Sequence, residues 1–212
     1  MQKTILFDLD GTLIDSTISI LEGFRKSFLK FNEQYPGDEI VKSLIGYPLD
    51  IMFIKLGISE KFANKFVLAY KSEYKKTYLQ TTTLLPAVKD AISIAYQFAD
   101  LGVVTTKTSK NSKILLKHLG IAKYFKVIIG KDDVINPKPD PEPILLALKL
   151  MNKTKQNAFM IGDTKLDIIS AKSAGINSFA LTCGYSNFQE LSKFTTQIYN
   201  NCLEAILIIK EK

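Results

Sequence analysis

Arginine is almost missing from this chain: Arg25 is the only one among 28 basic residues. Bidentate reading of phosphates and base edges favours arginine, and the lysines are scattered rather than gathered into a stripe. The formal net charge of +7 therefore reads as a solvated lysine-rich surface, not a nucleic-acid interface, although its field can draw in small anions. Cysteine is scarce too. Cys183 and Cys202 have neither CxxC nor metal-ligand spacing, which favours ordinary thiols over a disulfide or a zinc site. No stretch approaches the ~20 apolar residues of a membrane span, and the first residues run into a strand pattern without a signal-peptide layout. These absences predict a cytoplasmic protein with no membrane partner. Histidine occurs once, as His118, in a helical pattern away from every motif below, and no role is assigned to it. There is no internal repeat and no low-complexity segment.

What is present is a chain of 212 residues, long enough to bury a core. Thr4-Ile5-Leu6-Phe7 reads as a buried strand that runs into Asp8-Leu9-Asp10-Gly11-Thr12-Leu13. An Asp-Gly pair often turns a hairpin, but no second alternating strand follows here. From Ser16 to about Leu84 the pattern is helical, with Ile20, Phe24, Phe28 and Phe31, then Phe62, Phe66, Ala69 and Tyr70, at helix spacing. The stripe of Phe24, Phe28 and Phe31 is expected to be core. Past Pro86, strands near Leu101–Thr105, Val127–Ile129, Ala158–Ile161 and Ser178–Leu181 alternate with helices near Ala87–Ala99, Ser112–Leu119, Glu142–Leu150 and Asp167–Ala174. Alternation of this kind predicts a parallel sheet covered on both faces. The expected fold is α/β: a Rossmann-like parallel-sheet core of residues 1–15 and 85–212, with an all-helical cap inserted as residues 16–84.

In an open parallel sheet the ligand crevice lies beyond the carboxyl ends of the strands, so residues at those ends carry the candidate chemistry. Asp8 and Asp10 follow the first strand. Thr105, Thr106 and Lys107 follow another, Lys138 sits between Pro137 and Pro139, and Gly162-Asp163-Thr164-Lys165-Leu166-Asp167 follows a third. Read together they suit magnesium-assisted phosphoryl transfer. Magnesium takes one or two carboxylates plus phosphate oxygens, here Asp8 and Asp163 with the backbone carbonyl of Asp10. Asp8 has an oxygen with which to attack phosphorus. Lys138 and the Thr105 hydroxyl can hold the equatorial oxygens, and Asp10 can protonate the leaving oxygen and then activate water. Lys107 is expected to lie outside these contacts.

These four segments, in this order, resemble the four motifs of the haloacid dehalogenase superfamily of phosphohydrolases over essentially the whole chain. The pattern DxDGT[LV] matches Asp8 to Leu13, a strand-end Thr/Ser matches Thr105, the lysine matches Lys138, and GDxxxD matches Gly162 to Asp167. Phosphoglycolate phosphatase-like members are similar further: they carry a helical cap after the first motif and segments like Thr105-Thr106-Lys107-Thr108-Ser109 and Lys138-Pro139-Asp140-Pro141-Glu142-Pro143. The resemblance implies Asp8 as nucleophile and Asp10 as general acid/base. It implies phosphate binding by Thr105, Lys138 and the backbone at Thr106 and Gly11, and a Mg2+ site that draws on Asp8, Asp10, Asp163 and Asp167. Lys138 would also orient Asp8. Those relatives commonly have Asn where this chain has Thr106, a change expected to touch substrate contacts more than catalysis. In capped relatives specificity lies in the cap, where Gly46-Tyr47-Pro48 is the segment of interest.

The expected substrate is a small phosphorylated metabolite. A sugar-phosphate mutase of the β-phosphoglucomutase kind shares all four motifs and is the runner-up, with a pyrophosphatase beside it. A P-loop is excluded because position 106 holds Thr where the second glycine is required. A dehalogenase has no need of Asp10 to protonate a leaving alcohol. A receiver-like phospho-switch needs neither an insertion of about seventy residues nor an acid two positions after the nucleophile.

Overall fold

The computed structural model describes residues 2–212. The chain packs as two units, one running to Asp15 and resuming over Leu84–Lys212, the other Ser16–Thr83. Leu84 falls with the first.

The larger unit is built on a six-stranded parallel sheet. Its strands are β1 (Lys3–Phe7), β4 (Ala99–Val104), β5 (Phe125–Ile129), β6 (Ala158–Gly162), β7 (Asn177–Leu181) and β8 (Ile198–Tyr199), in the order β5-β4-β1-β6-β7-β8. Strands covered on both faces read as continuous apolar runs; accordingly Ile5, Leu6 and Phe7 are fully buried, as are Leu101, Val103 and Val104. The helices of this unit are α5 (Val88–Ala95), α6 (Ser109–His118), α7 (Glu142–Leu150), α8 (Lys165–Ala174), α9 (Phe188–Leu191) and α10 (Cys202–Glu211). One core cluster joins Leu6, Val104, Ile129 and Met160 of the sheet to Ile144 and Leu148 of α7 and Ala171 of α8. Local chemistry sets the helix ends. Pro143 opens α7 where a missing N–H costs nothing, and Gly175 stops α8 in the left-handed region at φ 76°. The expected helix to Ala99 ends at Ala95, and β4 starts at Ala99 instead.

The smaller unit is helical: α1 (Thr17–Lys30), α2 (Asp38–Lys42), α3 (Leu49–Lys55) and α4 (Glu60–Thr81). Its core is aromatic. Phe24 lies 4.6 Å from Phe53, Phe53 lies 5.4 Å from Phe66, and Phe28 meets Phe66 edge-on at 5.5 Å. Phe62, at helix spacing with Phe66, is exposed, with Lys61 and Lys65 over its ring. The helical pattern also stops earlier than expected. Thr81, Thr82 and Thr83 are β-branched and stiff at χ1, Thr82 is already extended, and β3 (Thr83–Leu84) pairs with β2 (Ile14–Asp15).

Candidate active site

Three adjacent strands deliver the site. β1 lies between β4 and β6, with Phe7 level with Val103 on one side and Ile161 on the other. Asp8, Thr105 and Asp163 are the first residues past the ends of those three strands, so they leave the sheet at neighbouring carboxyl ends, the region where open α/β sheets bind ligands. The Asp8 N–H still donates to Ile161 O at 2.8 Å, which fixes the backbone beneath the carboxylate.

Asp8, Asp163 and Asp167 are all buried, and each offers an oxygen within 4.8 Å of the others. One cation answers them. Lys138 Nζ lies 2.9 Å from Asp8 Oδ1 and 2.5 Å from Asp167 Oδ1. Asp8 Oδ1 thus shares with Asp167 the one ammonium placed beside it. Burial pushes the Asp8 carboxyl up to about 7 against the opposing pull of Lys138, and burial together with Asp8 and Asp167 pushes Asp163 well above the usual carboxylate range. Lys138 loses by burial but gains more from Asp167 and Asp8, and is held above the ordinary lysine value.

The other partners hold the acids in place, and sequence reasoning did not assign them. Thr12 Oγ1 donates to Asp163 Oδ1 at 3.0 Å, and the Tyr185 N–H donates to Asp163 Oδ2 at 2.8 Å. Thr164 N–H and Oγ1 both donate to Asp167 Oδ2, at 3.0 and 2.8 Å. Gly184, in the loop after β7, leaves the room: a Cβ there would stand 2.2 Å from Asp163 Oδ2. That glycine was the available signal, since a backbone donor such as Tyr185 N–H has no side-chain signature.

Gly11, expected to bind phosphate through its backbone, donates its N–H to Ile14 O at 2.9 Å. What the site takes from Gly11 is a turn at φ 83° and the absence of a Cβ, which would lie 2.3 Å from Asp163 Oδ2. Thr105 is buried, and its Oγ1 accepts the Lys107 N–H at 3.2 Å; Thr106 beside it is half-buried. Asp10 is half-buried, and its carboxylate is not in the acidic trio. It pairs with Lys107, whose Nζ lies 3.2 Å from Asp10 Oδ2. Lys107 was expected to stand apart, so this pairing corrects the sequence reading. Gly46 and Tyr47 belong to the helical unit, where Gly46 has φ 111° and Lys55 sits over the Tyr47 ring at 4.9 Å. Cys183 and Cys202 are free thiols, with sulfurs 3.9 and 3.6 Å from Gly11 O and Thr12 O.

Three buried carboxylates against one ammonium leave an excess of negative charge, and a buried ion is costly unless paired. The ligand atoms on offer are all oxygens, and Asp8 Oδ1 has to share its cation, Lys138, with Asp167. Such a set fits a hard divalent cation. Asp167 is the most committed of the three, because it accepts three hydrogen bonds, from Lys138, the Thr164 N–H and the Thr164 hydroxyl, against two at Asp163.

The family model for haloacid dehalogenase-like hydrolases matches residues 5–181. Pyrophosphatase PpaX of Oceanobacillus iheyensis is 32% identical over 193 residues, covering 91% of this chain and 89% of its own. The phosphoglycolate phosphatase of Yersinia pseudotuberculosis is 33% identical over 191 residues, covering 87% and 82%. A haloacid dehalogenase-like family protein from Streptococcus pneumoniae superposes with a TM-score of 0.88 at 28% identity over 98% of both chains.

Proposed function

Because this chain belongs to the haloacid dehalogenase-like hydrolases and is a phosphatase of that family, we propose that it hydrolyses a small phosphomonoester through a phosphorylated Asp8, with Mg2+ as its metal. The observation that carries the reading is the buried set of Asp8, Asp163 and Asp167 around Lys138. Mg2+ bound by Asp8, Asp163 and the Asp10 carbonyl would offset the charge of the phosphoryl oxygens.

The protein's own groups do the rest. An Asp8 oxygen attacks phosphorus, the ester P–O bond breaks in line, and Asp10 gives its proton to the departing oxygen. Asp10 then takes a proton from water as that water attacks the phosphorus, and the Asp8–phosphorus bond breaks to release phosphate and restore the carboxylate. Lys138 holds Asp8 and offsets the charge of the equatorial oxygens, to which Thr105 Oγ1 and the Thr106 backbone N–H donate hydrogen bonds.

The relatives support a phosphoglycolate-like monoester as substrate, and the pyrophosphatase at 32% identity supports pyrophosphate as the second candidate. Phosphate release is the test, measured with Mg2+ and with chelator over 2-phosphoglycolate, pyrophosphate, nucleoside monophosphates and β-glucose 1-phosphate. The reading expects Mg2+-dependent release, greatest from a small monoester. Release that ignores the chelator removes the metal, preference for pyrophosphate selects the second candidate, and conversion of β-glucose 1-phosphate to the 6-phosphate ahead of phosphate release makes the protein a mutase.

A further inference from the structure

The reaction as written gives Lys107 no task, yet the fold fixes this residue with care. Its N–H donates to Thr105 Oγ1 at 3.2 Å, and its carbonyl accepts the Lys131 N–H at 3.1 Å. Gly130 packs so closely that a Cβ there would lie 2.7 Å from Lys107 O. Just beyond, the Ser109 N–H donates to Asp132 Oδ1 at 2.6 Å, which ties the start of α6 to the turn after β5. The stem of Lys107 therefore leaves from an anchored backbone. It ends 3.2 Å from Asp10 Oδ2, with the two side chains only 11% and 14% exposed.

Solvent-exposed ion pairs contribute little and wander among rotamers. This one has little room to wander. The Asp10 backbone is likewise fixed, by its bridge to Ile14 and by the turn at Gly11, and Lys107 bears on the direction of its carboxylate. A carboxylate that must meet first a leaving oxygen and then a water has to point one way, since proton transfer depends on hydrogen-bond reach.

We infer that Lys107 is a positioning residue for Asp10: it aims the carboxyl group at the oxygen that leaves and at the water that replaces it. This rests on the reading of Asp10 as the acid and base of the preceding subsection. Lys107 stays an ammonium throughout and takes no part in the bonds made or broken.

The test compares kcat/KM for an aliphatic phosphomonoester cleaved by the wild type with that for p-nitrophenyl phosphate, in wild type, Lys107→Met, Lys107→Arg, Asp10→Asn and the Lys107→Met/Asp10→Asn double variant. Nitrophenolate leaves without a proton, whereas an alkoxide does not. Lys107→Met is expected to lower the aliphatic value on the order of 10–100-fold and the nitrophenyl value less than about threefold. Lys107→Arg should recover most of the loss, and Lys107→Met should add nothing in the Asp10→Asn background. Equal losses for both substrates, full additivity in the double variant, or faster turnover in Lys107→Met would each overturn the inference. So would a rise in KM with unchanged kcat, confined to substrates bearing a second anionic group, since Lys107 would then be a substrate-binding cation. If Asp10→Asn itself leaves the ratio of the two substrates unchanged, the acid/base reading fails and this inference falls with it. If Asp10→Asn shifts the ratio and neither Lys107 variant does, the inference alone fails. Lys107→Arg keeps the test decisive if the methionine variant does not fold.

Discussion

In the helical unit the buried polar residues among those described are Ser16, Ser19, Ser27 and Thr82, hydroxyls all, and no charged side chain is buried. Ser19 and Ser27 give their protons to backbone carbonyls at Ser16 and Gly23. The sheet unit buries Asp8, Asp163, Asp167 and Lys138 past the carboxyl ends of its strands, and Asp100 at the start of β4. The two ends of the sheet differ in balance. Asp100 is one acid with two lysines, Lys126 and Lys153, each at 2.7 Å; burial pushes its carboxyl up, but those hydrogen bonds and charges more than offset it and hold it below the usual value. The site at the other end is three acids to one lysine. A unit that buries only apolar side chains and hydroxyls is arranged for packing, whereas one that buries an uncompensated acidic cluster carries a cost that protonation or the binding of a cation relieves.

The largest effect expected is on the acidic end. Asp8→Asn should lower turnover on the order of 10⁴–10⁶-fold, as when a nucleophile is removed, without lowering the melting temperature. The sign follows from the raised carboxyl: an acid whose folded value is about 7 instead of 3.8 loses the fold stability as pH rises between them, and the amide removes that loss. Activity near wild type with Mg2+ present would take Asp8 out of the nucleophile role. Next comes Lys138→Met, which leaves Asp8 and Asp167 buried without their counter-charge. A rate loss on the order of 10²–10³-fold is expected, together with about 3 kcal/mol or more of stability. Kinetics and urea unfolding on the same preparation check both, and a loss in only one would separate orientation of Asp8 from charge balance.

The sequence carried much of this because chemistry at strand ends leaves local marks. Asp8-Leu9-Asp10-Gly11-Thr12 and Gly162-Asp163 each follow an apolar run, and the register of β1 against β4 and β6 follows from where those runs stop. What was illegible lies in contacts between distant segments. Lys107 meets Asp10 across two loops with no spacing rule to connect them, and Tyr185 serves Asp163 through a backbone N–H. The last segment was legible in principle: Asn201 caps α10 by accepting the Glu204 N–H, an Asn three residues before a Glu at the head of an apolar run. β8 is two residues long, too short for any periodicity to announce it.

The helical unit should answer differently. Phe53 is fully buried and touches Phe24, Phe28 and Phe66 at ring separations of 4.6, 6.0 and 5.4 Å. Phe53→Ala is expected to cost about 3 kcal/mol through the cavity it leaves, as a fall in the urea midpoint that stays constant across neutral pH. A loss that varied steeply with pH would mean that charge matters in this unit too, and the contrast between the units would weaken.

The smallest effect tests the closeness of that packing. Gly23 lies inside α1, where alanine should stabilise a helix by up to about 1 kcal/mol. A Cβ at this position would nevertheless stand 2.7 Å from Tyr70 Cε2 and 2.8 Å from its Cδ2, closer than carbon atoms approach. Tyr70 cannot easily give way, being stacked on Tyr74 at 5.4 Å and set edge-on to Phe24 at 5.0 Å. Overpacking of this kind costs about 1–3 kcal/mol, so Gly23→Ala should destabilise by about 1 kcal/mol net, against the helix preference. Pairing it with Tyr70→Leu, which removes the ring from the path of the new methyl, should make the same substitution neutral or stabilising, since neighbouring sites couple. Thermal unfolding of the four proteins in that cycle decides the matter: if Gly23→Ala raised the melting temperature with Tyr70 intact, α1 and α4 would be free to separate, and the aromatic core would not be the tight element described above.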